Sequence, residues 1–207
     1  KPPGKLLPSA HAVDREFKVI SALYETDVPV PKTYGLCEDE SVAGTAFFVM
    51  DFLDGDIYWN PMLPSLKKED RIKIYSSKNK TLAALHSVDY KKVGLGDYGK
   101  PGNYVSRQIA RWSRQYKASE TDNIDAMNNL IKWLPENIPN DDETSIVHGD
   151  FRLDNMIYKN NDVIGVLDWE LSTLGHPVAD FSYHCLTWRT EPMYSDYPKL
   201  KELGIPN

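Results

Sequence analysis

The first part of the chain combines one helical pattern with extended patterns. From residue 10 to residue 25, apolar residues recur at helical spacing with charges between them, which predicts an amphipathic helix. The two prolines of VPVPK favour extended backbone, and the KTYGLCE stretch after it predicts a short strand. The run TAFFVMDFL is almost continuously apolar, which is typical of a buried strand. Residues 1–53 are therefore predicted to form a helix packed on a small sheet.

Helical patterns dominate from about residue 64 onward. Four stretches predict helices: LKKEDRIKIYSSKNKTLAALHSV, YVSRQIARWSRQYKAS, IDAMNNLIKWLPENI and HPVADFSYHCLTW. Three short runs predict strands: SIV at 145–147, NMIY at 155–158 and VIGVLDW at 163–169. The last two are joined by an asparagine-rich turn, KNND. We therefore expect an α+β protein with a small sheet lobe at residues 1–53, a hinge near residues 50–56 and a mainly helical lobe at residues 54–207.

Composition is that of an ordinary globular protein and argues against several functional classes, although a local basic face stays open. Hydrophobic residues make up 41% of the chain and charged residues 26%, and the net charge of −6 argues against a nucleic-acid partner held by bulk positive charge. Cys37 and Cys185 are far apart and form no ligand pattern, which predicts a reducing, intracellular compartment and no disulfide scaffold or zinc site. No apolar run approaches the ~18 residues of a membrane span. The tryptophans are expected in the core, including Trp59, Trp133, Trp169 and Trp188.

The stretch HGDFRLDN, residues 148–155, places polar side chains between two apolar runs. A carboxylate held on a constrained loop between rigid strands can act as a general base, which makes Asp150 the candidate. The amide oxygen of Asn155, at the end of the loop, is a hard ligand that suits Mg²⁺. Asp168 follows thirteen residues later, after the next apolar run, and a hairpin of that length would bring it beside Asn155. The sequence thus predicts a base and two metal ligands in one site.

The same stretch indicates the reaction. Arg152 lies between the base and the first metal ligand, where its charge can meet that of a transferring phosphoryl group. Together these residues predict phosphoryl transfer from a Mg²⁺-bound nucleotide to a hydroxyl group. The alternative is a simple polar turn, which accounts for the aspartates and asparagine of the stretch but not for Asp168.

The spacing of these residues resembles that of a known superfamily. His148, Asp150 and Asn155 spell HxDxxxxN, and Asp168 follows at the spacing of a kinase metal-binding aspartate, as in the protein-kinase-like superfamily. HGD in place of HRD, DWE in place of DFG and the lack of an APE motif resemble aminoglycoside-phosphotransferase-type small-molecule kinases. Longer stretches of the sequence are similar to the kinase-like domain of acyl-CoA dehydrogenase family members ten and eleven and their bacterial stand-alone relatives. These stretches are KPPGKLLPSAHAVDREF, VPVPKTYGLCEDESV, DYGKPGNY, RQYKASET, VHGDFRLDN and VLDWELSTLGHPVAD.

The resemblance implies a two-lobed protein-kinase-like fold and an activity that depends on ATP and Mg²⁺. In it Asp150 is the catalytic base, and Asn155 and Asp168 are the Mg²⁺ ligands. His148 orients the loop without taking part in the chemistry. Asp180, in GHPVAD, corresponds to the buried aspartate that braces the loop.

The resemblance also assigns the nucleotide contacts. Glu16 matches the glutamate that pairs with the ATP-phosphate lysine, although a glutamate on a helix face is often only solvated. The hinge is formed by four consecutive residues whose backbone meets the adenine: Met50, Asp51, Phe52 and Leu53. The glycine-rich loop and the lysine strand should precede KPPG, and further helices should follow KELGIPN. We therefore expect a piece of a larger fold, with a partial first lobe.

A stripe of arginines on one predicted helix indicates the charge of the acceptor. Arg107, Arg111 and Arg114 fall at i, i+4 and i+7 of a predicted helix, which places three guanidiniums on one face. Such a face favours an anionic acceptor, and a hydroxyacyl-CoA fits both the stripe and the acyl-CoA dehydrogenase domain fused to this domain in the animal relatives. A merely solvated face is the alternative.

The function expected from the sequence is therefore that of an ATP- and Mg²⁺-dependent small-molecule kinase. Its expected location is the cytoplasm in a bacterium, and mitochondria or peroxisomes in an animal. A protein kinase is disfavoured by the missing APE motif. A weak or inactive kinase-like domain that serves for binding or scaffolding within a larger acyl-CoA-metabolising protein is the alternative, and the joint presence of Asp150, Asn155 and Asp168 argues against it.

Overall fold

The computed structural model describes residues 13–140, 142–186 and 200–205, which form helices and short antiparallel strands. The helices are α1 (Val13–Leu23), α2 (Glu40–Ala43), α3 (Lys68–Ser87), α4 (Tyr104–Ala118), α5 (Asp125–Trp133), α6 (Val178–Leu186) and α7 (Leu200–Leu203). The strands are β1 (Thr33–Cys37), β2 (Phe47–Met50), β3 (Ser145–Val147), β4 (Met156–Lys159), β5 (Asp162–Val166) and β6 (Thr173–Gly175). The mixed composition of helices and small sheets confirms the predicted α+β class.

The first sheet consists of β1 and β2, which pair antiparallel. Helix α1 packs against it, with the rings of Phe17 and Phe48 6.1 Å apart. The prediction that TAFFVMDFL is a buried strand was wrong, because Val49 and Met50 of β2 are exposed and Phe52 is 91% exposed. Within the described residues β2 pairs only with β1, so much of its apolar surface stays uncovered.

The β4–β5 hairpin supports the candidate site. Its turn lies where KNND predicted one, and Asn160 and Asn161 have positive φ angles of 54° and 70°. Asparagine tolerates this left-handed conformation better than most residues and favours such two-residue turns. The hairpin docks on α3, where the hydroxyl of Ser77 accepts a hydrogen bond from the backbone N–H of Val163 at 2.9 Å. A serine that weakens the helical pattern of α3 thus serves to hold the sheet.

A further strand pair lies at the start of the HGDFRLDN loop. Strand β3 pairs antiparallel with β6, with Ser145 opposite Gly175. The sequence pattern did not predict β6, which has only three residues. A Cβ atom at Gly175 would lie 2.7 Å from the ring of Tyr104, so the absence of a side chain lets α4 approach this strand closely.

The hydrophobic core is one cluster that joins α1 to α3 and to the strands around the loop. Trp169 is completely buried in it, as predicted. The same prediction was wrong for Trp59 and Trp133, which are 77% and 56% exposed, and Trp188 lies outside the described residues. Both cysteines are free thiols. In the described part of the chain, no helix has the length and apolarity to cross a bilayer.

Candidate active site

The loop that follows β3 is fixed by a buried carboxylate on α6. Asp180 is 1% exposed and accepts hydrogen bonds from the backbone N–H groups of His148, at 2.7 Å, and Gly149, at 2.8 Å. The imidazole Nε2 of His86 lies 3.2 Å from the same carboxylate. Because an ionised carboxylate forms strong bonds with backbone N–H groups, Asp180 ties the loop to the helix. This is the bracing geometry that the resemblance implied.

His148 has both ring nitrogens engaged within the protein. Its Nε2 lies 2.9 Å from the carbonyl oxygen of Leu167, which can only accept, and its Nδ1 lies 3.2 Å from the backbone N–H of Asp150, which can only donate. The ring is therefore neutral, and burial lowers its pKa below the ordinary value. It also packs on Trp169, with the ring centroids 4.6 Å apart. This geometry suits a residue that orients the loop.

The carboxylate of Asp150, the predicted base, is held on both oxygens. Asn155 Nδ2 donates to Oδ2 at 3.1 Å, Arg152 Nε lies 3.1 Å from Oδ1, and the hydroxyl of Tyr183 donates to Oδ1 at 3.0 Å. Burial and the hydrogen bond to Asp150 raise the pKa of Tyr183, so this phenol stays protonated and donates. Tyr183 was not predicted from the sequence. Its position three residues after Asp180, on the same helix face, is the one available signal.

The β4–β5 hairpin joins the backbone of Asn155 to the residue that precedes Asp168. Met156 pairs with Val166, and the backbone N–H of Leu167 donates to the carbonyl oxygen of Asn155 at 2.9 Å. The side-chain N–H₂ of Asn155 turns toward Asp150, and no described residue donates a hydrogen bond to its Oδ1 oxygen. That oxygen is thus available to a cation.

Three carboxylates gather at the end of this hairpin. Oxygen atoms of Glu16, Asp168 and Glu170 all lie within 4.8 Å of one another. Carboxylate and amide oxygens are the ligands that Mg²⁺ prefers, so this donor set fits the predicted cation. Close carboxylates also repel one another, and a bound cation would relieve that repulsion. Glu16 and Glu170 therefore lie near Asp168, one of the two predicted metal ligands.

Helix α1 is positioned to deliver Glu16 to this cluster. The guanidinium of Arg15 donates to the carbonyl oxygens of Tyr98, at 2.9 Å, and Ser172, at 3.3 Å. It also lies over the ring of Tyr98, 4.3 Å from the centroid. These contacts fasten α1 to the segment that follows Asp168.

The predicted hinge runs alongside the hairpin. The backbone N–H of Asp51 donates to the carbonyl of Lys32 at 2.8 Å, and the side chain of Leu53 occupies the space that a Cβ atom at Gly165 would need. The predicted hinge and the β4–β5 hairpin are therefore in contact. The role of Met50–Leu53 in meeting adenine stays a prediction.

The arginines of α4 are not equivalent. The guanidinium of Arg107 donates to the backbone carbonyls of Gly102 and Lys100, so it fixes the loop that precedes the helix. Arg111 and Arg114 are exposed. Of the three, these two are the ones whose charge can meet a ligand.

Comparison with known proteins places this site in a family. The profile of the phosphotransferase enzyme family matches residues 1–197. The chain belongs to the phosphotransferase enzyme family. It is 47% identical to acyl-CoA dehydrogenase family member 10 of Mus musculus over 216 residues and 45% identical to acyl-CoA dehydrogenase family member 11 of Homo sapiens over 213 residues. Both alignments cover the whole chain, which spans only 20% and 27% of the length of these relatives.

Solved structures of phosphotransferases share the fold. A protein from Ralstonia eutropha assigned to the aminoglycoside phosphotransferases is 51% identical, with a TM-score of 0.89, over 97% of this chain and 62% of that protein. The ternary complex of aminoglycoside phosphotransferase (2″)-IIa with streptomycin and ATP has a TM-score of 0.57 at 24% identity, over 81% of this chain and 57% of that enzyme. At this low identity, the likeness shows a shared fold and nothing more. These likenesses confirm the predicted protein-kinase-like fold class.

Proposed function

We propose that this phosphotransferase moves the γ-phosphoryl group of ATP, bound with Mg²⁺, to a hydroxyl group of a small molecule. One observation carries the proposal. The carboxylate of Asp150 is oriented by Asn155 and Tyr183, and the backbone of Asn155 is hydrogen-bonded across the hairpin to Leu167, the residue before Asp168. A base beside one hard oxygen ligand, with a second carboxylate at the end of the adjoining strand, is the set of parts that phosphoryl transfer to an alcohol requires.

The proposed reaction uses these side chains in distinct ways. The acceptor oxygen attacks the γ-phosphorus, its proton passes to Asp150, and the bond from the phosphorus to the bridging oxygen breaks to release ADP. Arg152 adjoins Asp150, where its charge can stabilise the transferring group. Asn155 and Asp168 would hold Mg²⁺, with Glu16 and Glu170 close by. Magnesium supplies neutralisation of phosphate charge in such sites.

For the nucleotide, we propose that the backbone of Met50–Leu53 meets the adenine. The packing of Leu53 against Gly165 supports this placement, because it sets the hinge beside the hairpin that carries the metal ligands. For the acceptor, a hydroxyacyl-CoA is the first candidate. It is supported by the names of the two acyl-CoA dehydrogenase relatives and by the exposed charges of Arg111 and Arg114. The parent protein would then couple this activity to an acyl-CoA dehydrogenase domain.

Nucleotide-dependent thermal stabilisation separates a kinase from a binding or scaffolding domain. We expect ATP to raise the melting temperature more with Mg²⁺ than without it, because binding to the folded state stabilises it. Asp168→Asn should remove most of the Mg²⁺-dependent part. Asp162→Asn, an exposed aspartate at the start of β5, is the matched control and should leave it unchanged. A wild-type protein that melts at the same temperature with and without Mg²⁺-ATP would favour the scaffold.

A further inference from the structure

A cavity of about 240 Å³ adjoins the proposed base. Its walls come from Trp59 and Pro61, from α3, from residues 151–154 of the loop and from α6. Two of its lining side chains, Arg152 and Tyr183, also contact Oδ1 of Asp150. The cavity and the proposed base therefore share these two side chains as neighbours.

Lys78 lines this cavity and is the most unusual residue in it. The residue is 5% exposed, and among the described residues no carboxylate lies within ion-pair distance of its ammonium group. Its recorded contact is with the ring of Phe151, at 5.7 Å from Nζ to the centroid. Burial lowers its pKa to about 8, so the side chain is still mostly charged at neutral pH. Burying a charge that has no ion-pair partner destabilises a fold, so such a residue suggests a functional role.

Asp154 is the one acid among the described residues that line the cavity. Its charge raises the pKa of Lys78 against the effect of burial, but its Oδ2 is already paired with Arg152 Nη2 at 3.0 Å. Burial and the charge of Lys78 hold the pKa of His184 at about 4, so its imidazole is neutral at pH 7. The lining thus carries one pair of opposite charges, a neutral imidazole and the cation of Lys78. The remaining walls include the aromatic side chains of Trp59 and Tyr75.

We propose that this cavity binds an anionic group of the acceptor, a carboxylate or a phosphate, through the ammonium of Lys78. The inference rests on the proposed function, because the acceptor is the molecule whose hydroxyl meets Asp150. Its volume is below the roughly 300–1,000 Å³ of sites that enclose a drug-sized ligand, so it takes one end of the acceptor. The substrate class is an alcohol that bears an anionic group.

The test compares charged alcohols with neutral ones of similar size. The purified protein is saturated with Mg²⁺-ADP, so that the probes do not bind at the nucleotide site. It is then titrated with 4-hydroxybutyrate, glycerol 3-phosphate and 4-hydroxybutyryl-CoA, and with 1,4-butanediol and glycerol as neutral matches. The readout is the dissociation constant from calorimetry. The carboxylate, the phosphate and the acyl-CoA, which is charged through the phosphates of its CoA part, show which source of charge the cavity accepts.

Two variants assign the binding to Lys78. Lys78→Met keeps the length of the side chain and removes its charge, and Lys80→Met removes an exposed charge from the same helix. We expect at least one charged probe to bind tenfold or more tightly than its neutral match, and Lys78→Met to abolish that preference. Lys80→Met should retain it. If Lys78→Met does not fold, Lys78→Gln replaces it.

Two outcomes would overturn the proposal. One is that no charged probe binds more tightly to the wild-type protein than its neutral match. This outcome can be read from the wild-type protein alone, without any variant. The other is that the preference survives in Lys78→Met or Lys78→Gln. Stabilisation by Mg²⁺-ADP is read in parallel, and its absence would count against the kinase function. A normal response to Mg²⁺-ADP without anion preference would instead reject only the role of Lys78.

Discussion

At the scale of single residues, the site centres on the carboxylate of Asp150. Its two oxygens meet donors from Asn155, Arg152 and Tyr183. The first two belong to the same short loop, whereas Tyr183 comes from α6. The orientation of the proposed base therefore depends on how helix and loop pack, and not on the loop alone.

Replacing Tyr183 by phenylalanine tests this dependence. We expect kcat to fall about tenfold or more, because a hydrogen bond to a charged group contributes roughly 1.5–3 kcal/mol, while the KM for ATP stays the same. The measurement is steady-state phosphoryl transfer. Tyr24→Phe, an exposed tyrosine on the chain that follows α1, is the control and should match the wild type. An unchanged kcat in Tyr183→Phe would show that the contact does not position the base.

Some of these site residues can be predicted from the sequence and others cannot, for a physical reason. Asp150, Asn155 and Asp168 lie in one loop and one hairpin, so their spacing along the chain predicts their proximity. Tyr183 and Lys78 reach the site only because α6 and α3 pack against the loop. Such contacts depend on tertiary structure and leave no short-range pattern.

At the scale of elements, the turn between β3 and the loop requires glycine. Gly149 has a φ of 87°, and a Cβ atom there would lie 2.9 Å from the carbonyl oxygen of Leu171. Gly149→Ala should therefore lower the free energy of unfolding by about 1–3 kcal/mol, since alanine is strained at this φ and also meets backbone. Urea denaturation measures the loss. Gly96→Ala is the control because Gly96 has open space around it and no positive φ, and equal stabilities of the two variants would refute the argument.

The longer elements were predicted from the sequence, and the shortest ones were missed. The periodic spacing of apolar residues located α1, which buries Val19, Ile20 and Leu23, and it also located α3 and α4. Strand β6 was missed because its three residues, TLG, contain a single large apolar side chain and so form no apolar run, unlike SIV in β3. An apolar run such as TAFFVMDFL predicts a strand but not its burial, because burial depends on which neighbouring elements cover it.

At the scale of the whole molecule, folding assembles the candidate site from distant parts of the chain. Glu16 arrives on α1, while Asp168 and Glu170 follow the hairpin, and all three meet within 4.8 Å. The hydrophobic core runs continuously from α1 to the hairpin. Stability and site geometry should therefore be lost together on unfolding.

The stability of the fold should depend on pH through His184. The ordinary pKa of histidine, about 6.5, applies to the unfolded chain, and burial lowers it to about 4 in the folded protein. The unfolded state thus binds the proton first on acidification, so this contribution to stability is complete above pH 6.5 and is lost as the pH falls toward 4. Urea midpoints between pH 7.5 and 4 measure it. Relative to wild type, His184→Gln should lose less stability over this range, and parallel curves would contradict the assignment.

The central claim is that Asp150 is the base of a phosphoryl transfer to a hydroxyl group. The most direct measurement follows labelled γ-phosphate from ATP to a panel of hydroxyacyl-CoAs, sugars and amino alcohols, with wild-type protein, Asp150→Asn and Asp162→Asn. Asparagine keeps the shape of the side chain and removes its basicity. We predict transfer to at least one acceptor by the wild type and Asp162→Asn, and a loss of at least a hundredfold in Asp150→Asn. Equal rates for wild type and Asp150→Asn, or no transfer by the wild type, would contradict the account.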